Sequence, residues 1–306
     1  MIQFIVKRTL LFIPVVFGVI TLTFILMFVV PGDPVLSMVG ERYDEATLQQ
    51  LRQELHLDDP IYVQYGRFLW NLAHGDLGKS YITNRPVLDT VLDKFPKTLQ
   101  LAGAAMLVSI LLGISVGIVS SLKPYSWFDK GSMVVALTGI SAPVFWVGLM
   151  LVLIFGIELR WFPTSGYGGL IYIILPAITL GTRSSAFLAR VTRASMLEIK
   201  SKDYMRTAYS KGLPKWKVIL KHQFVNTLIP VITIIGVDFG SYLSGAVLTE
   251  SIFGWPGIGR LALDSILKRD FPMIQGTVLL TALVFITVNF IVDLLYGVID
   301  PRIKYE

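Results

Sequence analysis

Few residues in this 306-residue chain are placed for covalent chemistry. The three histidines, His56, His74 and His222, are scattered and match no metal-ligand spacing. Cysteine is absent, which removes disulfides, thiolate metal sites and a thiol nucleophile. No Gly-x-x-x-x-Gly-Lys-Ser/Thr loop is present to cradle phosphates, and no His-Glu-x-x-His pair. Ser120-Ser121 and Ser184-Ser185 have no histidine near them in sequence. The residues with most chemical leverage are instead Asp238 and Asp293, because each interrupts a long apolar run. A carboxylate inside a membrane span is costly and faces protein or water. Asp238 alone does not make the chain of acids a proton relay wants. It reads as part of an interior polar surface or a helix contact, with Gly240 and Gly245 as small packing residues beside it. Asp293 falls near the end of its run and reads as interfacial or helix-packing. Residues of these types predict a carrier or channel-forming protein, not an enzyme, whose energy comes from elsewhere.

The elements that must position them are apolar. Hydrophobic residues make up 54% of the chain and charged ones 16%, and the excess gathers in charge-free windows too long for an ordinary soluble globule. Six spans are expected: Thr9–Val30, Leu99–Ser121, one within Gly131–Ile157, one from about Leu170 to Thr182, Phe224–Leu248 and Phe271–Ile299. The first follows Lys7-Arg8 and outruns the apolar core of a signal peptide, so it is expected to be retained. Pro143 should kink or open the third, and Pro176 interrupts the fourth. Gly113-x-x-x-Gly117 in the second allows close helix packing.

Between the first two spans lies a polar stretch too long for a plain loop. It is expected to pack as a small subdomain, with Asp44 capping a short helix whose Leu48, Leu51 and Leu55 share a face, and with turns at Asp58-Asp59-Pro60 and Gly75-Asp76. The segment Ser195–His222 is basic and amphipathic, broken at Gly212-Leu213-Pro214, and could hug anionic lipid or dock a cytoplasmic protein.

Charge orients the chain. With six spans both ends share a side. Lys7, Arg8, Lys123, Lys130, ten basic residues from Arg183 to Lys221, Arg302 and Lys304 then fall together, giving that side +11 against −3 opposite. Positive loops stay in the cytoplasm, so both termini are expected there. The overall +6 is thereby explained by a basic cytoplasmic face, without nucleic acid.

Several separated motifs then carry a resemblance that covers essentially the whole chain. They include Lys7-Arg8-Thr9-Leu10-Leu11, Pro31-Gly32-Asp33-Pro34, Leu55-His56-Leu57-Asp58-Asp59-Pro60 and Gly75-Asp76-Leu77-Gly78-Lys79-Ser80. Further along stand Gly254-Trp255-Pro256-Gly257-Ile258-Gly259-Arg260-Leu261, Arg269-Asp270-Phe271-Pro272-Met273-Ile274-Gln275-Gly276 and the run from Asp293 to Arg302. Together they resemble the dipeptide/oligopeptide permease B family, the membrane subunits of binding-protein-dependent ABC importers. The run Asp203-Tyr204-Met205-Arg206-Thr207-Ala208 with Lys211-Gly212-Leu213-Pro214 resembles the family's EAA-type coupling loop. Its Glu-Ala-Ala positions fall on Arg206, Thr207 and Ala208, so docking here does not rest on a carboxylate at 206.

The resemblance implies an all-α integral membrane protein of six transmembrane helices in a bacterial or archaeal cytoplasmic membrane. Residues 1–30 would form the N-terminal tip and first span, 31–98 an extracytoplasmic subdomain, 99–299 the permease core with its coupling loop at 195–222, and 300–306 a cytoplasmic tail. It implies half of a translocation path worked by alternating access, and no cofactor in this chain. ATP and Mg would be used by two cytoplasmic ATPase subunits. The other partners implied are a homologous C-type permease, an extracytoplasmic solute-binding protein and the bilayer. Dipeptides or oligopeptides are the expected solutes, with nickel complexes, glutathione or oligosaccharides as alternatives, and a secondary transporter using Asp238 as a remote one.

Overall fold

The computed structural model describes residues 2–29, 35, 45–54, 56–244 and 246–299. The expected cap Asp44, the Pro31-Gly32-Asp33-Pro34 motif, Gly245 and the tail 300–306 lie outside the described residues, as do the side chains of Leu48, Leu51 and Asp293 and all of Leu55.

The fold is all-α. Helix α1 (Ile2–Val29) is followed by α2 (Glu45–Glu54) and α3 (Ile61–Ala73) in the polar stretch. The next helix, α4 (Val87–Leu122), begins well before the apolar run at Leu99. At about 1.5 Å per residue its 36 residues exceed a hydrocarbon core of roughly 30 Å, so its first turns stand clear of the bilayer. Helix α5 (Trp127–Ser141) is capped by Ser126, whose hydroxyl accepts from the Asp129 N–H at 3.2 Å. It breaks at Ala142-Pro143, and α6 (Val144–Glu158) leaves at 107°, closing in a π-helical segment from Val152. The proline cannot supply the N–H that would carry the helix on, and its predecessor is pushed to extended backbone.

Helix α7 (Ile171–Lys200) runs through both Pro176 and the expected end of the fourth span at Thr182. A short helix α8 (Asp203–Ser210) leads to α9 (Lys215–Leu243), which contains a π segment at Val218–Phe224. Helices α10 (Val247–Ile252), α11 (Ile258–Leu267) and α12 (Phe271–Ile299) complete the order.

Small residues set the packing of α4 on α7. A Cβ on Gly113 would stand 2.7 Å from Ser185 O and Leu188 Cβ, and one on Gly117 would stand 2.6 Å from Thr192 Cβ and 2.7 Å from Ala189 O. Ser109 Oγ donates to Gly181 O at 3.0 Å, 72 residues on. Gly113 with Ser185 and Gly117 with Ala189 keep the same offset, so α4 and α7 run parallel. Parallel neighbours require the chain between them to recross. The bent pair α5–α6 lies in that stretch, and neither half is long enough to span alone.

By length and apolarity four helices can cross a membrane, Val87–Leu122, Ile171–Lys200, Lys215–Leu243 and Phe271–Val292, and the bent pair makes five. The apolar part of α1, Thr9–Ile25, is shorter. It meets α12 through Phe12 and Phe290, ring centroids 5.2 Å apart. The core gathers Leu101, Ala105, Ala177, Tyr242, Leu243 and Trp255 from α4, α7, α9 and the connection after α10.

Candidate functional site: a polar seam and a basic hairpin

At the end of α7 the chain makes a rigid hairpin. Met205 and Ala208 of α8 bury against Val218, with Ile199 and Leu213 packed around them. Gln223 Nε2 donates to Met196 O at 2.7 Å, fixing the start of α9 to the end of α7. Gly212 has φ +71, a left-handed conformation that ends α8 and that a side chain would strain. Of the residues expected to couple, Asp203, Tyr204, Arg206, Thr207, Lys211, Gly212 and Pro214 are exposed. Leu213 is half-buried, and Ala208 faces inward, so it holds α8 in place without touching solvent. Asp203 and Arg206 face each other loosely at 3.8 Å in full solvent, where such a pair contributes little. Tyr209 and Trp216 add exposed aromatic surface next to the basic residues.

Behind the hairpin, Asp129 is locked to α7. Arg193 Nε donates to its Oδ1 at 2.5 Å and Nη2 to its Oδ2 at 2.7 Å. The Tyr125 N–H adds a bond of 2.7 Å to Oδ2. Nothing in the sequence joins these residues, because a helix and a loop separate them.

A polar seam crosses the interior. The Tyr242 hydroxyl donates toward Ser184 Oγ at 2.5 Å, with Leu180 O 3.2 Å away, and Ser109 lies 3.5 Å from the same hydroxyl. Asp238, one turn before Tyr242, sits beside Ser184 and within electrostatic reach of Arg183, and its buried Oδ2 has no hydrogen-bond partner. Gly240 would meet Val288 at an ordinary 3.4 Å if it carried a Cβ, whereas on Gly236 the Cβ would stand 2.6 Å from Val292 Cγ2. The tight α9–α12 approach thus falls at Gly236. Arg183, counted with the basic face in the charge tally, lies between Gly181, level with Ser109, and Ser185, level with Gly113, and so is level with the middle of the apolar run of α4.

The opposite end of the bundle is built from the late motifs. Glu250 is buried; its Oε1 accepts from Thr98 Oγ1 at 2.8 Å and its Oε2 from the Arg260 N–H at 2.9 Å. Burial pushes its carboxyl above the usual glutamate value, against the pull of those hydrogen bonds. Thr98 Oγ1 in turn accepts from the Ile258 N–H at 2.8 Å. Trp255 Nε1 donates to Lys97 O at 2.9 Å, and Arg260 Nη1 to Gly254 O at 2.7 Å. A Cβ on Gly257 would collide with the Glu250 carboxylate. The Gly254–Gly259 motif is therefore a scaffold clamped on α4. Asp270 similarly holds the loop after α3, accepting from Ser80 Oγ at 2.5 Å and from the Tyr81 N–H at 3.1 Å. No group of three His, Asp or Glu side chains is arranged to hold a metal among the described residues.

A multi-span helical membrane protein with a polar interior seam and a stiff basic hairpin at one end has the build of a transport permease. The family described as binding-protein-dependent transport system inner membrane component matches residues 109–305, and its N-terminal region matches residues 1–102. The glutathione transport system permease protein GsiC of Escherichia coli is 41% identical over 306 residues, covering 100% of both chains. The di/tripeptide transport system permease protein DppB of Pseudomonas aeruginosa is 44% identical over 335 aligned positions, again covering 100% of both. Among solved structures, an inward-facing MetNI methionine ABC transporter aligns with a TM-score of 0.57 at 14% identity, over 69% of this chain and 96% of that one, a likeness of fold. The chain belongs to the binding-protein-dependent transport system inner membrane component family, as a non-catalytic permease subunit of an importer.

Proposed function

We propose that this permease imports short peptides, glutathione among them, as half of the translocation path of an ABC importer. Full-length similarity to a di/tripeptide and a glutathione permease supports the solute class. In this reading α1 is the sixth span, both termini are cytoplasmic, and residues 31–98 form the outer subdomain that receives a solute-binding protein. A C-type permease completes the path, and two ATPase subunits bind and hydrolyse ATP with Mg. Asp203, Tyr204, Arg206, Thr207, Lys211, Gly212 and Pro214 form the docking face, with Ala208 and Leu213 as its packed underside. Asp238 lines the path, while Gly240 and Gly245 serve packing beside it.

The observation that carries the reading is the hairpin itself. Helix α8 is packed on α9 at Val218 and α9 is tied to α7 at Met196, so a push on α8 moves two long helices together. ATP-driven closure of the ATPases then rotates the pair and opens the path outward, and hydrolysis returns it. Replacing residues 203–214 with a flexible linker tests this. The variant is expected to reach the membrane and pair with its permease partner but to lose ATPase binding and uptake. Full uptake with normal assembly would rule the docking role out.

A further inference from the structure

Among the four helices long and apolar enough to span, α7 is the most enclosed; 44% of its apolar stretch is buried, against 33% or less for the other three. Between 183 and 198 its exposed residues form one stripe, Arg183, Phe187, Arg190, Ala194 and Glu198, spaced three or four apart, and Lys200 is exposed off that stripe at the helix end. Two of the five are guanidinium groups two turns apart. Arg183 begins the stripe at mid-span and, among the described residues, is at hydrogen-bond or ion-pair distance from no partner. A guanidinium there cannot face lipid without a penalty of several kcal/mol, so the stripe faces water or protein. Asp238 lies within its electrostatic reach on the facing helix, and one carboxylate oxygen there has no donor.

From this arrangement we infer that Arg183 is the group that reads the solute's carboxylate halfway along the path, with Asp238 as the resident counter-charge that competes for it. A guanidinium offers two parallel N–H donors to a carboxylate, a geometry no neutral solute matches. Asp238 limits the strength of that contact. A solute in transit must bind well enough to enter and weakly enough to leave, and a nearby carboxylate takes the guanidinium back once the solute moves on. The inference rests on the proposed function and deepens it: the path selects solutes with a free carboxylate, such as peptides and glutathione, over neutral oligosaccharides.

The chain contains no cysteine, so Arg183→Cys supplies its single thiol. The whole importer, with partner subunits made cysteine-free, is reconstituted in proteoliposomes and supplied with trialanine or glutathione. Wild-type uptake is measured first; if neither solute enters with ATP, the proposed function fails and this inference with it. Given uptake, Arg183→Cys is expected to react with a water-soluble methanethiosulfonate, to be protected by the transported solute, and to carry at least about tenfold less solute. An aminoethyl adduct at the thiol should restore part of the uptake and a sulfonatoethyl adduct none, and Arg183→Lys, which keeps the charge but not the paired N–H donors, should fall between Arg183→Cys and wild type. Three results would each overturn the inference: no labelling of the thiol, equal uptake with adducts of either charge, or loss of pairing with the partner permease, which would make Arg183 an interface residue.

Discussion

Asp129 and Arg193, 64 residues apart in the chain, meet in a two-bond ion pair that fixes the short connection between α4 and α5 to the inner half of α7. Asp129 is almost wholly enclosed, its side chain 2% exposed, while Arg193 keeps 21%. Three residues further along α7, the Met196 carbonyl receives Gln223. A continuous line of contacts thus runs from the α4–α5 loop through α7 to the packed underside of α8. In the proposed coupling, that line would carry a push on the hairpin into the bundle.

Breaking the pair from one side should cost stability. Asp129→Ala leaves a partly enclosed guanidinium and the Tyr125 N–H without acceptors. A loss of about 3 kcal/mol is expected, seen as a lower melting midpoint of the detergent-solubilised protein and faster proteolysis between 122 and 130. Arg193→Lys keeps the charge but only one of the two bonds, so it should cost about 1–2 kcal/mol. Equal melting of Asp129→Ala and wild type would show that the pair carries no structural load.

Glycines on α4 should differ sharply in what they tolerate. Gly113→Ala and Gly117→Ala each place a methyl within 2.7 Å of the α7 backbone, and should destabilise by about 1–3 kcal/mol or push the helices apart. A Cβ on Gly103, on the same helix, would meet nothing within 4 Å. Gly103→Ala should be neutral or stabilise by up to about 1 kcal/mol through helix propensity alone. Melting midpoints of the three variants, compared side by side, check the ordering; similar values at all three positions would refute close α4–α7 packing.

Glu250 should give the fold a pH dependence. Its carboxyl is held above the ordinary glutamate value in the folded protein, so the folded state holds a proton that the unfolded state has released. Stability contributed by this group is therefore present at low pH, falls as pH rises from the ordinary value to the raised one, and is flat above that. Glu250→Gln should remove this dependence while its amide oxygen keeps the Arg260 N–H bond and its NH2 donates to Thr98 Oγ1, reversing that contact. Glu250→Ala should cost about 1–3 kcal/mol for each donor left unpaired. Melting curves across pH 4 to about 9 decide it; the same slope in wild type and Glu250→Gln would assign the dependence to another group.

Much of the architecture is legible in the chain because apolar runs, prolines and turn residues act locally. Pro143 marks the break between α5 and α6, and Gly212 marks the end of α8, each for reasons internal to its own backbone. The Gly113-x-x-x-Gly117 spacing, a weak signal alone, coincides with a close α4–α7 approach. Span ends are less legible. Helix α7 continues past Thr182, where Ser184 meets the Tyr242 hydroxyl inside the bundle, a polar contact that hydropathy reads as an exit from the membrane. The pairs Asp129–Arg193, Thr98–Glu250 and Ser80–Asp270 carry no sequence signal, since each joins residues 64 to 190 apart.

By itself the sequence determined an all-helical membrane protein of the peptide-permease kind, carrying a basic amphipathic segment broken at Gly212-Leu213-Pro214. These follow from composition, periodicity and ordered local motifs, which act over a few residues. Only the tertiary structure decided that α4 and α7 run parallel, that α5 and α6 form a bent pair between them, and that Arg183 comes within electrostatic reach of Asp238. The physical reason is that burial and charge pairing depend on which helix faces which, and that is settled by packing between segments far apart in the chain.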